Sequence, residues 1–421
     1  MIKKILKHTR NLLLIILGIG SLYLINLFFM KPYSIDHFLA KELILDLTSS
    51  PEELTYVGVL DDYNWLTNHN SKLSIPKESD IQDGIEHTEK VIKTLYKYND
   101  SRLSDTQKNT KKIAIFDYEN HLRELSEFPY LDYPLNQIGG IHLNTIEFMN
   151  DVHPIRKKSE AEDFIARTDL IKEVYNGVLD DLERQAMNNI YPPEFVYGHV
   201  IKQLNEFIEY KDEEHPLYTQ FMSKIDKLEL NQQDIVYFEN EIRRSINESV
   251  TPGFELLRDF MRKTQQYANK NHGIWSQPGG DDYYKLKIRT FTTTDYSPEE
   301  IHQIGISEVK RISERMKYIL STLGYDDSKS VGELMNELNE NPDFLYADTP
   351  DRKEIVIRDY TEMVEEAYEV MKDYFHTMPE SKVIVKAVPE YSEKTAAGGY
   401  YQSPALDGSR PGVFYANLYD I

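Results

Sequence analysis

The chain has 421 residues, enough to bury a sizeable core in one large domain or two ordinary ones. Its net charge of −22 at pH 7 argues against nucleic acid as a partner, because binding to phosphate depends on clustered Lys and Arg. The sequence contains no cysteine, which excludes disulfides, thiolate metal sites, a cysteine nucleophile and a lipid-modified amino-terminal cysteine within these residues.

The amino terminus joins a basic segment to a long apolar run. Four basic residues come first, Lys3, Lys4, Lys7 and Arg10, and residues 12–30 are almost entirely apolar. A helix of that length spans roughly 30 Å, the thickness of a bilayer's hydrocarbon core. The pattern predicts a cytoplasmic segment at 1–10 and a transmembrane signal anchor at 11–30, and it places the rest of the chain outside the cytoplasm.

A cleaved signal peptide is the alternative for the same segment. The run is long for a signal peptide, and Phe28 to Lys31 lack the small residues of a cleavage site. The sequence therefore favours the uncleaved anchor, with the membrane as a partner of the chain.

Helical periodicity dominates from residue 34 to about residue 376. Ser159 to Glu162 has the pattern of a capping box and predicts a helix that runs to about Asn188. Ser297, followed by Pro298 and by Glu300 at the third helical position, predicts another, which ends at Gly324. Further predicted helices lie at about residues 35–48, 78–99, 104–127, 192–210, 232–249, 253–271, 330–340 and 351–376.

The pattern changes after Pro379. Residues 382–388 form a β-branched run, residues 399–401 and 412–417 are two further extended candidates, and residues 404–412 resemble a loop that joins two strands. The predicted fold class is therefore mainly α: one large helical ectodomain over residues 31–421, with a small β-sheet near its carboxyl terminus in 382–421.

The sequence has no self-sufficient catalytic motif. It contains no H-E-x-x-H, no pair of histidines at H-x-H or H-x-x-x-H spacing and no G-x-S-x-G. The twelve histidines are scattered, and we interpret them as structural or surface residues.

Four segments nevertheless resemble one family. They are YPLNQIGG at 133–140, EFMNDVHPI at 147–155, RTFTTTDYSPEEIHQIG at 289–305 and VPEYSEKTAAGGYYQSPALDGSRPGVFYAN at 388–417. In that order they resemble the bacterial domain-of-unknown-function family 885 (DUF885), over nearly the whole ectodomain.

The resemblance implies a largely helical zinc metallopeptidase of the gluzincin type. In such relatives an H-E-x-x-P-G-H helix and a glutamate ligand follow the tyrosine-rich segment, whereas this sequence ends before any such motif. The zincin-like fold is thus expected to be incomplete. No catalytic residue, metal ligand or cofactor is assigned to this chain, and zinc is expected only in a full-length relative.

The last segment also supplies candidate substrate-binding residues. In a zincin cleft the substrate adds to a sheet edge, for which the strand from Val413 to Asn417 is the candidate, with Asn417 as a substrate-binding residue. Tyr400, Tyr401 and Tyr415 could donate hydroxyls to a substrate, and Arg410 could bind a carboxylate through both amines. The alternative is that Arg410 pairs with the nearby Asp407 and that the tyrosines only pack.

These inferences predict the amino-terminal and central part of a membrane-anchored, extracytoplasmic, zinc metallopeptidase-like hydrolase acting on peptides. The chain by itself is expected to be inactive because the zinc-binding part is missing. The main alternative is a non-catalytic, membrane-anchored peptide-binding or scaffold protein, and a third is the poorly folding product of a disrupted gene.

Overall fold

The computed structural model describes residues 2–211 and 213–419. Sixteen α-helices precede three β-strands in these ranges. The helices are α1 Ile2–Phe29, α2 Ile35–Ser49, α3 Pro51–Val57, α4 Asn64–Thr67, α5 Ser79–Tyr96, α6 Asp105–Glu127, α7 Ile141–Glu147, α8 Lys158–Met187, α9 Glu194–Glu209, α10 Pro216–Ile225, α11 Gln232–Ser245, α12 Thr251–Thr264, α13 Gly280–Thr292, α14 Pro298–Thr322, α15 Val331–Asn339 and α16 Arg352–Met371. The strands are β1 Val383–Ala387, β2 Gly399–Gln402 and β3 Gly412–Ala416.

The prediction of a mainly helical chain with a small sheet near its carboxyl terminus is confirmed. The chain divides into two compact units: residues 1–53 with 76–129, and residues 54–75 with 130–421.

The first unit contains α1, α2, α5 and α6. Its core is small and includes Ile35, Phe38, Val91 and Leu95. Tyr98 closes this core, and its hydroxyl donates to the carbonyl of Pro32 over 2.8 Å. Helix α1 covers the segment predicted to cross the membrane, but a search of the described residues finds no helix long and apolar enough to do so.

The second unit has a large core built mainly by α8 to α12. Helix α12 packs against both α8 and α9. Gly253 allows the close approach to α8, because a Cβ at this position would lie 3.0 Å from the Tyr175 ring. The wholly buried Arg167 of α8 ties in the segment 54–75 by donating to the Thr55 hydroxyl over 2.7 Å and to the carbonyl of His69 over 2.8 Å.

Of the two predicted helix caps, the structure shows the one at Ser297 but not the one at Ser159. Ser297 and Glu300 form the predicted capping box with Pro298 at the start of α14, and Gly324 follows the helix with φ of +91°. The predicted box at Ser159 is wrong, because α8 begins at Lys158. Glu160 is buried there, and its carboxylate accepts from the backbone N–H of Arg156 over 2.6 Å.

The sheet has the strand order β1-β3-β2. Strand β3 pairs parallel with β1 and antiparallel with β2. The expectation that the strand ending at Asn417 is an edge is therefore wrong: β3 is central, and β1 and β2 are the edges. Helix α16 covers one face, where Val356 packs with Val385 and Ala416.

Candidate functional site

The other face of the sheet carries a row of three polar side chains. Lys386 on β1 is the register partner of Tyr415 on β3, which in turn is opposite Tyr400 on β2. Because register partners point to the same face, the three side chains lie side by side. The rings of Tyr400 and Tyr415 are stacked, with centroids 4.8 Å apart and planes inclined by 18°.

Two carboxylates from another part of the chain meet this row. Helix α7 ends at Glu147, and the next residues, Phe148–Val152, form a π-helical turn. The turn is closed by a hydrogen bond of 3.0 Å from the N–H of His153 to the carbonyl of Phe148. Such wide turns are frequent at functional sites, and here one places Asp151 3.2 Å from the Lys386 ammonium.

Tyr391, in the connection between β1 and β2, completes the group. The centroid of its ring lies 5.4 Å from that of Phe207 on α9. The charges of Glu147 and Asp151 interact with its hydroxyl. We refer to Glu147, Asp151, Tyr391, Tyr400 and Tyr415 as the carboxylate–tyrosine cluster.

The electrostatics of the cluster follow from burial and negative charge. Burial, followed by the charge of Asp151, raises the pKa of Glu147 above its ordinary value, and a hydrogen bond from Tyr400 opposes that rise. Burial, followed by the two carboxylates, raises the pKa of the Tyr391 and Tyr400 hydroxyls. The tyrosines are therefore neutral hydrogen-bond donors near neutral pH.

Lys224 of α10 is a second cation beside the cluster. Its ammonium donates to the carbonyl of His153 over 3.0 Å. Burial is the main cause that lowers its pKa to about 8, the charge of Asp151 opposes the decrease, and Lys386 adds to it. Asp151 thus has cations beside it, whereas among the described residues no cation lies within ion-pair distance of Glu147.

The structure brings two of the five predicted substrate-binding residues together, Tyr400 and Tyr415. Tyr401 points to the opposite face of the sheet, is 52% exposed and lies close to Gly412. Asn417 follows β3, and its amide donates to the carbonyl of Glu393 over 2.7 Å, which ties the connection between β1 and β2 to the strand end.

Arg410 lies in the loop between β2 and β3. Its two terminal amines donate to the backbone carbonyls of Ser403 over 2.8 Å and of Tyr56 over 2.9 Å. The predicted partner Asp407 instead accepts from the backbone N–H of Ser409 over 2.9 Å. The guanidinium therefore anchors its own loop to the segment 54–58, and a role in binding a carboxylate stays a prediction.

Sequence reasoning missed Glu147, Asp151 and Tyr391 as functional candidates. A signal was present, because Glu147 and Asp151 lie in the segment EFMNDVHPI, and Tyr391 and the two stacked tyrosines lie in the long carboxyl-terminal segment. The segment at 133–140 also meets the last one: Gln203 of α9 donates both to the carbonyl of Gln137 and to the hydroxyl of Thr395, each over 3.0 Å.

The resemblance implies a zinc ion only in a full-length relative. Within residues 2–211 and 213–419, no group of three His, Asp or Glu side chains is placed so that it could hold a metal ion. These residues do not fit a zinc site, and we assign no chemical step to a metal.

Comparisons with known proteins identify a family. The family model described as "Bacterial protein of unknown function (DUF885)" matches residues 51–421. None of the curated proteins matches the chain.

Two solved structures share the fold. One is the crystal structure of "the putative lipoprotein from Colwellia psychrerythraea", with 27% sequence identity and a TM-score of 0.80, covering 89% of this chain and 65% of that one. The other, "a putative lipoprotein of unknown function from Shewanella oneidensis", has 12% identity and a TM-score of 0.50, covers 88% of this chain and 65% of that one, and supports the fold alone. This chain thus spans 65% of the length of each.

Proposed function

Because the chain belongs to the DUF885 family of bacterial proteins of unknown function, we propose that it is the peptide-binding part of a peptide-directed hydrolase of that family. The observation that carries the proposal is the position of strand β2, which within residues 2–211 and 213–419 pairs with β3 on one side only and borders the carboxylate–tyrosine cluster. An extended peptide could add to β2 as a further strand.

The hydrogen-bonding groups of β2 support this use. The N–H of Asn417 donates to the carbonyl of Gly398 over 3.0 Å, so residues 398, 400 and 402 face β3 through their backbone groups. By alternation, the backbone N–H and carbonyl of Tyr401 point away from the sheet. A peptide main chain could bind these two groups without disturbing the pairing of β2 with β3.

The side chains of β2 provide two different surfaces. Tyr400 faces the carboxylate–tyrosine cluster, whereas Tyr401 is exposed on the opposite face. A peptide bound along β2 would therefore present alternate side chains to a polar surface and to an aromatic one, which is how such grooves acquire selectivity.

The proposal includes hydrolysis of the bound peptide as a second, more specific step. The described residues supply no zinc ligands, so binding is the step that we assign to them, and hydrolysis would need groups of a longer relative. The non-catalytic alternative, a peptide-binding or scaffold protein, shares the binding step. Mass analysis of peptides incubated with a full-length relative of the family tests the hydrolytic part, since only a hydrolase releases fragments.

We also propose that the protein is extracytoplasmic and associated with the membrane. The support is the apolar run at residues 12–30 after a basic segment, together with two similar structures described as "putative lipoprotein". Fractionation of cells and protease treatment of intact spheroplasts test it: the protein should sediment with membranes and be digested from outside.

The binding proposal is tested with two variants of one residue. Tyr401→Pro removes the outward N–H while leaving the pairing to β3, and edge strands tolerate proline at such positions. Tyr401→Ala removes the same ring and keeps the N–H. In calorimetric titration with extended pentapeptides, we expect Tyr401→Pro to bind more weakly than Tyr401→Ala, because only the proline variant lacks the N–H. Equal binding by the two variants would contradict addition to β2.

A further inference from the structure

Among the residues that the structure describes, no cation lies within ion-pair distance of the Glu147 carboxylate. Glu147 is partly buried at the end of α7. Burial and then the negative charge of Asp151 raise its pKa, and a hydrogen bond from the Tyr400 hydroxyl opposes the rise. Asp151 differs, because the Lys386 ammonium lies 3.2 Å away. A carboxylate held away from water gains most from a partner of opposite charge, and the described residues do not provide one within ion-pair distance of Glu147.

A second, independent feature of the same site is the hydroxyl of Tyr415. The residue is 1% exposed. Burial, followed by the charge of Asp151 and a hydrogen-bonding contact with that carboxylate, raises the pKa of Tyr415, but no described protein group meets strict hydrogen-bond geometry with the hydroxyl. The side-chain oxygen of Gln402, on the neighbouring strand β2, is likewise buried, and no described protein group bonds to it. Buried polar atoms of this kind usually have partners, so the site has unused capacity for a ligand.

The rings around Glu147 favour a cation as that ligand. Tyr391, Tyr400 and Tyr415 present aromatic surface and neutral hydroxyl groups around two carboxylates. Aromatic faces and carboxylates together attract ammonium groups. An anion is disfavoured, because it would approach Glu147, while Lys386 and Lys224 already contact Asp151 and the carbonyl of His153.

We propose that the carboxylate–tyrosine cluster binds a primary ammonium group and that Glu147 is its ion-pair partner. The inference rests on the proposed function, since the ammonium would belong to a peptide bound along β2. Two sources share this chemistry, the α-ammonium at the start of a peptide and the side chain of a lysine. The first is the simpler fit, since an end of the peptide can enter the cluster while its main chain follows β2.

The test uses the 421-residue chain and three pentapeptides of one extended Val-Ala sequence. One has a free amino terminus, one is N-acetylated, and one is N-acetylated with a single lysine. At pH 7, calorimetric titration should show the free peptide binding at least about tenfold more tightly than the acetylated one, because a charged hydrogen-bonded contact is lost on acetylation. If the lysine peptide recovers this difference, the side chain is an equally good source of the ammonium.

Variants of the protein assign the effect to Glu147. Glu147→Gln should remove the preference for the free peptide, whereas Glu380→Gln, at an exposed position outside the cluster, should keep it. Circular dichroism and thermal unfolding check that both variants fold. If Glu147→Gln does not fold, the comparison of the peptides on the unaltered chain still decides whether the cluster binds an ammonium group, and Glu147→Asp, which keeps the charge on a shorter side chain, should reduce the preference for the free peptide if Glu147 is its partner.

Different results would contradict the ammonium site and the peptide-binding function. Equal binding of the free, acetylated and lysine peptides would overturn the ammonium site and leave peptide binding intact. A preference that survives Glu147→Gln would overturn the role of Glu147. Absence of binding by all three peptides would overturn the proposed function, and the ammonium site with it.

Discussion

The Lys386 ammonium lies 3.2 Å from the carboxylate of Asp151, although the two residues are 235 positions apart in the sequence. This ion pair connects edge strand β1 to the π-helical turn after α7. It therefore fixes the carboxylates opposite the tyrosine row, and it stabilises the candidate site and the fold at once.

Replacement of Lys386 by Met should destabilise the protein by about 1 kcal/mol. This value lies between those of exposed and buried ion pairs, because the Lys386 side chain is 44% exposed and that of Asp151 is 15% exposed. Urea unfolding of Lys386→Met, Asp151→Asn and the double variant gives the coupling energy. Lys382→Met, at an exposed position before β1, is the matched control. A coupling energy near zero would show that the contact does not contribute to stability.

Replacement of Glu147 by Gln should stabilise the protein at pH 7. The folded-state pKa of Glu147 is raised above the ordinary 4.5, so the folded state binds this proton more tightly than the unfolded state does. The stabilisation from protonated Glu147 is complete below pH 4.5, and it is lost as the pH rises through the folded-state pKa of this residue. Urea unfolding at pH 7 and pH 4 should show a gain for Glu147→Gln only at the higher pH. An equal change at both would contradict a raised pKa.

The protein should lose stability between pH 6.5 and pH 4, in part because of His142. Its burial lowers the pKa from 6.5 to about 4, so the unfolded state binds this proton first as the pH falls. The full effect of such a shift is about 3 kcal/mol. His142→Gln, which can still donate to Gln203, should show a shallower decrease in the free energy of unfolding over this range, measured with urea at half-unit steps. An unchanged slope would mean that His142 does not titrate as its burial requires.

Two glycine-to-alanine replacements should have opposite effects. At Gly280, the first residue of α13, a Cβ would lie 1.8 Å from the carbonyl oxygen of Ile274, so Gly280→Ala should cost about 1–3 kcal/mol. At Gly305, within α14, a Cβ would meet nothing within 4 Å. Gly305→Ala should stabilise the protein by about 0.5–1 kcal/mol through helix propensity. Thermal unfolding of both variants tests the pair, and a neutral Gly280→Ala would contradict the close approach.

The sequence by itself determined the local elements. The cap of Ser297 and Glu300 at α14, the stop at Gly324 and the three strands near the carboxyl terminus all agree with the structure, because each depends on hydrogen bonds or backbone preferences within a few residues. It missed helices such as α10 and α13, whose periodicity is short, and it misplaced the start of α8, where a buried Glu160 binds Arg156.

Only the tertiary structure decided the site. Strand order made β3 central and left β2 as an edge, which alternation along the strands does not reveal. Glu147 and Asp151 meet Tyr400 and Tyr415 because α7, its wide turn and the sheet pack together across more than half the chain. Contacts over such separations depend on packing of the whole unit, and local sequence patterns carry no record of it.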